Sequence, residues 1–329
     1  MESLNRASIA QFVRASSLLA AALLFGAFIC GGASVYANHP VLVEGNCDSP
    51  SPGTTVVERG TCGDYDGDGR IGTAEDTDGA DRIFGTLQGA LGPGTGAAAG
   101  TGANQNGTII IVRSGRFTEP PQPFSPPSML FIGVTGVTPS IGNVTIEAAP
   151  GVVANIDAVL QGDPAGGNNT RQAGTAIYIN RDASFSNTVV TLRNLTFRNW
   201  DQAVDVAGFG NELIDNCRFE HNLNTGLSAD GSSNVAVTRS QFDSQGRRIG
   251  TAPNNTPGLD RGHGILVNVN SNGVTLKVYD TTFTNNTGAG IRNTVGTANR
   301  VTLFKVASYF NGTDISGAFT IAPDHNYSN

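Results

Sequence analysis

Asp64, Asp66, Asp68 and Glu75 fall at positions 1, 3, 5 and 12 of one twelve-residue run, with Gly69 at position 6 and Ile71 at position 8. A hard divalent cation takes roughly six to eight oxygens, and this spacing can supply them. The three aspartates would bind through side chains, Arg70 through its carbonyl and Glu75 through both carboxylate oxygens. Gly72 has no side chain to offer at position 9, so a water would fill that place. Gly69 supplies the positive φ that the sharp turn demands. The expected ligands of a calcium ion are therefore Asp64, Asp66, Asp68, Arg70 and Glu75. A single loop of this kind reads as a structural brace and not as a sensor.

Elements able to position such chemistry emerge from an internal repeat. The segments 190–197, 213–219, 235–242, 274–283 and 301–310 share a frame in which apolar residues lead to a phenylalanine. The aligned phenylalanines, Phe197, Phe219, Phe242, Phe283 and Phe310, are separated by 22, 23, 41 and 27 residues, the 41 containing an insertion from Asp243 to Gly262. After each comes a polar turn and a second short strand, centred on Val204, Leu227, Ile265, Ile291 and Phe319. A period near 22 residues, built of short strands and Asn/Gly turns, predicts a β-solenoid with apolar ladders inside. Helical periodicity is absent. Asn194, Asn199, Asn216, Asn222, Asn285 and Asn286 suit left-handed turns and hydrogen bonds along the stack.

On such a wall the candidate acid–base groups are His263, Asp205 and Arg292. Strand alternation puts Asp205, Ser228, Leu266 and Arg292 in one outward column, and Asp230, Asn268 and Thr294 in another. Asp205 and Arg292 are then three coils, roughly 14 Å, apart, too far to meet at one reacting atom. The insertion carries Arg247, Arg248, Asp260 and Arg261, and it reads either as a flexible surface loop or, with Trp200 and His263, as one side of a groove for uronic or sulfated sugars.

The amino-terminal part points the same way. Residues 81–91 look like a short amphipathic helix, followed by a Gly/Ala-rich loop and then the strand and turn of 107–119, GTIIIVRSGRFTE. This order resembles the entry of the pectin-lyase-like, right-handed parallel β-helix superfamily, in which a capping helix precedes the first strand. The resemblance covers residues 81–329 and implies an all-β, right-handed parallel β-helix with a short capping helix. It also implies polysaccharide as a partner. Gly262-His263-Gly264 is similar to an element of its polygalacturonases, and Gly290-Ile291-Arg292 falls one coil later. The coil before His263 reads Asn224-Thr225-Gly226, however, without the acid pair those hydrolases use. The calcium run resembles the single EF-hand loops of dockerin-like extracellular modules.

Residues 1–37 read as a secretory signal, with Arg6 and Arg14 ahead of an apolar core and Val35-Tyr36-Ala37 as cleavage site. Residues 38–80 then form a segment around the calcium loop, and 81–329 the solenoid. Cys47 and Cys62 are placed for a disulfide in an oxidising compartment, and Cys217 reads as a buried free thiol. A formal charge of −7 favours neither nucleic acid nor anionic lipid as a partner, and no membrane span is expected after cleavage. The functional expectation is a secreted, calcium-binding β-helix at a cell surface or in the periplasm that binds surfaces or glycans without catalysis. The alternative is an enzyme degrading acidic polysaccharide.

Overall fold

The computed structural model describes residues 41–44, 83–84, 87, 91, 107–113, 115–117, 128–133, 143–158, 174–246, 261–268, 273–295 and 300–322. All of them lie in one compact unit, His39–Asn329. The chain is all-β, a parallel β-helix, with one long sheet of 15 strands and a shorter sheet of 7 among the described residues.

Each coil contributes two consecutive segments to the long sheet and one strand to the short sheet. One coil runs Val189–Arg193, Leu195–Arg198 and Gln202–Val206, and the next runs Phe209–Asp215, Arg218–Glu220 and Thr225–Ala229. The third is Ser232–Thr238, Gln241–Asp243 and His263–Val267. Two more follow, Thr275–Thr284 with Ala289–Asn293 and Val301–Tyr309 with Thr313–Ser316. Successive coils pair in parallel without slippage, as in Val204↔Leu227, Leu227↔Ile265 and Ile265↔Ile291.

Register follows from what each position must bury. Phe197, Phe219, Phe242 and Phe283 are fully buried and stack ring on ring, with centroids 5.1, 4.4 and 5.0 Å apart and interplanar angles of 14° or less. Those separations match the strand spacing of about 4.8 Å. Sliding one coil by a residue would turn its phenylalanine to solvent.

Two columns of left-handed residues bend every coil at the same places. The first is Asn194, Asn216, Arg239, Asp280 and Lys305, and the second is Asn199, His221, Ser244, Asn285 and Phe310. Just inside the second column runs a ladder of buried amides. The backbone N–H of Trp200 donates to Asn222 Oδ1, that of Asn222 to Gln245 Oε1, that of Gln245 to Asn286 Oδ1 and that of Asn286 to Asn311 Oδ1. The amide nitrogens of Asn222, Gln245, Asn286 and Asn311 donate in turn to the carbonyls of the four stacked phenylalanines. Buried amides are tolerated because both ends are used. A hydroxyl ladder does the same work at the first bend, where the N–H of Cys217 donates to Ser240 Oγ and that of Ser240 to Thr281 Oγ1. Cys217 occupies one rung as a free thiol that burial pushes up to about 12. It is inert.

Several expectations need correction. In the last coil Ser308, not Phe310, pairs with Phe283, and Phe310 takes the left-handed position with 85% of its surface exposed. This coil is two residues shorter than the phenylalanine spacing suggests. Its short-sheet strand is centred on Ile315, which pairs with Ile291, while Phe319 packs against the core beyond it. Asn222 and Asn286 serve the internal ladder and are not left-handed. Ile83–Phe84, expected in the helix, is a strand paired with Val41–Glu44, and Leu87 and Leu91 are helical and buried. The helix therefore starts later than its apolar pattern implies. Val41–Glu44 also pairs with Gly107–Arg113, so the long sheet begins ahead of the calcium run. Among the described residues no helix is long and apolar enough to cross a membrane.

Candidate functional site

The outward face of the short sheet carries the column Phe131, Tyr178, Asp205, Ser228, Leu266, Arg292 and Ser316, in unbroken register. Asp205 and Arg292 thus stand in the column expected of them, three coils apart. Asp230 lies two residues beyond Ser228 on the coil next to Asp205, and Asn268 and Thr294 continue its column. One strand spacing across and two residues along the chain put the Cα atoms of Asp205 and Asp230 about 8 Å apart. Linear reading of the repeat saw no acid pair. The structure brings this one together from neighbouring coils.

The surroundings of the two acids are largely neutral. Asp205 is 8% exposed and accepts a hydrogen bond from Ser228; Asp230 is half-buried and accepts one from Asn268. Burial, with Asp230 adding to it, pushes the Asp205 carboxyl up to about 7. Burial raises Asp230 as well. Tyr178 closes the cluster, its ring 5.5 Å from that of Phe131. Its phenol is pushed up by burial and then by the charges of Asp205 and Asp230, against a bond from Asn180. Among the described residues, the Oδ1 atoms of both aspartates have no hydrogen-bond partner. Two like charges in a poorly solvated place cannot both ionise cheaply. The pair is therefore poised to hold one proton near neutrality, the condition for one acid and one base.

His263 and Trp200 do not line a groove. His263 is 3% exposed, and its Nδ1 accepts the Ala289 N–H at 2.8 Å. A Cβ on Gly288 would come within 2.5 Å of that nitrogen, so the ring is walled in. Trp200 is 1% exposed and donates Nε1–H to the Ile156 carbonyl at 2.9 Å. Both side chains fill the coil and satisfy its backbone. The insertion is also shorter than expected, because Asp243–Gly246 stay in the regular coil. Gly246 (φ 87°) and Gly262 (φ 78°) touch where the loop leaves and returns, each with Thr287 Oγ1 in the place of a Cβ. Arg261 is half-buried; Arg247, Arg248 and Asp260 lie outside the described residues. So do Asp64, Asp66, Asp68, Arg70, Glu75, Cys47 and Cys62.

A family model for the right-handed β-helix region matches residues 134–306. No curated protein matches the chain. Among solved structures it is similar to the crystal structure of alginate lyase from Paenibacillus sp. str. FPU-7, with 14% identity and a TM-score of 0.41, over 64% of this chain and 72% of that one. A likeness of that degree says nothing about substrate.

Proposed function

The chain belongs to the right-handed β-helix family, and on that premise we propose that it cleaves an acidic polysaccharide laid along its short sheet. One observation carries this reading. Asp205 is buried, raised to about 7 and left with an unpartnered oxygen, and its charged neighbour is a second acid, Asp230. Glu212 of the long sheet is also buried, raised to about 7 and left with an unpartnered Oε2, but it is ion-paired with Arg181. In the proposed reaction protonated Asp205 donates to the glycosidic oxygen as the bond to the anomeric carbon breaks. Asp230, ionised, takes a proton from the water that forms the new bond. The Cα atoms stand about 8 Å apart, and a carboxyl separation of roughly 6.5–9.5 Å would leave room for that water and give inversion. Asn180, Asn268 and Tyr178 would bond sugar hydroxyls. Arg292, three coils away, would meet a carboxylate further along the polymer.

Incubation with polygalacturonate, pectin and alginate tests this reading. New reducing ends without the absorbance of unsaturated uronates are expected, and Asp205→Asn and Asp230→Asn should each lower the rate at least ~100-fold. A second reading, glycan binding without catalysis, is favoured by the slight exposure of Asp205. Saturable binding with no bond cleavage would select it.

Calcium and secretion complete the proposal. The strands flanking the calcium run in sequence, Val41–Glu44 and Ile83–Phe84, pair directly with one another, so a cation held by Asp64, Asp66, Asp68, Arg70 and Glu75 would tie the segment joining them. Calcium titration should release or absorb heat, and chelation should lower Tm. A melting curve indifferent to chelator would rule the brace out.

A further inference from the structure

The outer wall of the long sheet changes character along the stack. One outward column reads Glu147, Arg193, Asp215 and Thr238, then Tyr279 and Phe304. A second reads Asp157, Arg198, Glu220, Asp243 and Thr284, then Tyr309. Charges bond one another in the early coils, and aromatic rings replace them at the end. Tyr279 and Phe304 lie 5.5 Å apart, and Tyr309 and Phe310 6.5 Å apart. Phe304, Ala307 and Tyr309 all point outward from the last full strand, Val301–Tyr309, with Phe310 directly after it. Together they make a track with rings at both ends and a small floor.

Phe310 is the informative member. Its position holds Asn199, His221, Ser244 and Asn285 in the other coils, small or polar residues that accept a left-handed backbone. A phenylalanine at φ 58° is strained there, and 85% of it meets solvent. Strain with no return in packing marks a contact made to something else. Two cations and one acid stand at the bend end of the track. Lys305 lies 5.9 Å from the centre of the Phe304 ring, and Lys277 is exposed and pairs in register with Thr302. Asp280 stands opposite Lys305 in the bend, and Arg239, one coil further back in the same column, is held by Asp215.

We propose that this track is a second saccharide site, separate from the Asp205–Asp230 wall, that anchors an acidic polysaccharide. Pyranose C–H faces stack on Phe304, Tyr309 and Phe310, while Lys305 and Lys277 meet the carboxylates or sulfates. The choice of polymer rests on the polysaccharide reading above; the location does not.

Electrophoresis of the full chain through gels containing polygalacturonate, alginate or neutral dextran tests it. Retardation is expected in the two acidic gels and not in dextran, and added salt should weaken it. Phe310→Asn with Tyr309→Ala should weaken retention at least five-fold. Phe310→Asn suits the bend, so loss of retention by that variant alone, with a melting temperature no lower than wild type, is not a folding defect. Reducing-end release from short oligosaccharides should not change in these variants. Retention equal to wild type in the double variant overturns the track, as does failure of wild type to be retarded. If Asp205→Asn abolishes retention and the double variant does not, the wall binds the polymer and the track does not. Retention lost in the double variant, in a protein that cleaves nothing, supports the track and removes the catalytic reading alone.

Discussion

Two buried aspartates, one on each sheet, are treated in opposite ways, while Glu212 of the long sheet, which burial also raises to about 7, keeps Arg181 as its ion-pair partner. On the long sheet Asp215 accepts from Arg193 Nε at 3.1 Å, from both Arg239 Nε and Nη2, and from Thr238 at 2.7 Å. Burial pulls its carboxyl up, but those bonds outweigh it and hold the group below the usual range. Asp157 receives a two-pronged Arg198. On the short sheet Asp205 has Ser228 and a neighbouring acid, and burial wins. The same residue type on the same scaffold is thus fastened on one wall and left reactive on the other. A regular solenoid makes the contrast easy to see, since every coil offers both walls the same backbone.

The largest expected effect lies in what the two walls share. Phe242→Ala removes the middle of the ring stack and should cost about 3–5 kcal/mol, read as a lower urea midpoint. A cost near that of a surface change would mean that the coils are not held by the stack.

Next come the two aspartates, with opposite signs. Asp205 is raised in the fold, so stability is greatest below its unfolded pKa of about 4 and is lost as pH climbs to about 7. Asp205→Asn should abolish that slope and stabilise the protein above pH 7. Asp215 is lowered, so its contribution is present above the unfolded pKa and lost as pH falls through the folded one. Asp215→Asn should destabilise at neutral pH by about 1 kcal/mol, since Arg193 and Arg239 are partly exposed. Thermal melts at pH 3, pH 5 and pH 8 measure both. Equal signs would erase the distinction between the walls.

Smallest is Phe310→Asn, which should gain about 1 kcal/mol by relieving the left-handed strain. A loss instead would show that the exposed ring packs against the protein.

Much of this architecture was readable from the repeat. The phenylalanine frame gave the coils, and strands centred on Val204, Leu227, Ile265 and Ile291 stand where alternation puts them. The last coil misled because Phe310 imitates the repeat while Ser308 fills its place. Ile83–Phe84 misled because two apolar residues ahead of a short helix fit either a helix face or a parallel strand. The site was legible only in part. Asp205 and Asp230 are 25 residues apart in sequence and are joined through a diagonal between coils, which no linear motif records. Polar type alone did not separate His263 and Trp200, which serve the coil, from residues that face outward.

Reducing-end release from polygalacturonate or alginate, followed from pH 4 to pH 9 for wild type, Asp205→Asn and Asp230→Asn, bears most directly on the proposed acid–base pair. The expected result is a bell-shaped profile whose alkaline limb falls near pH 7, where Asp205 loses its proton, with both variants at least ~100-fold slower. Wild-type rates sustained above pH 8, or variants as active as wild type, would contradict it.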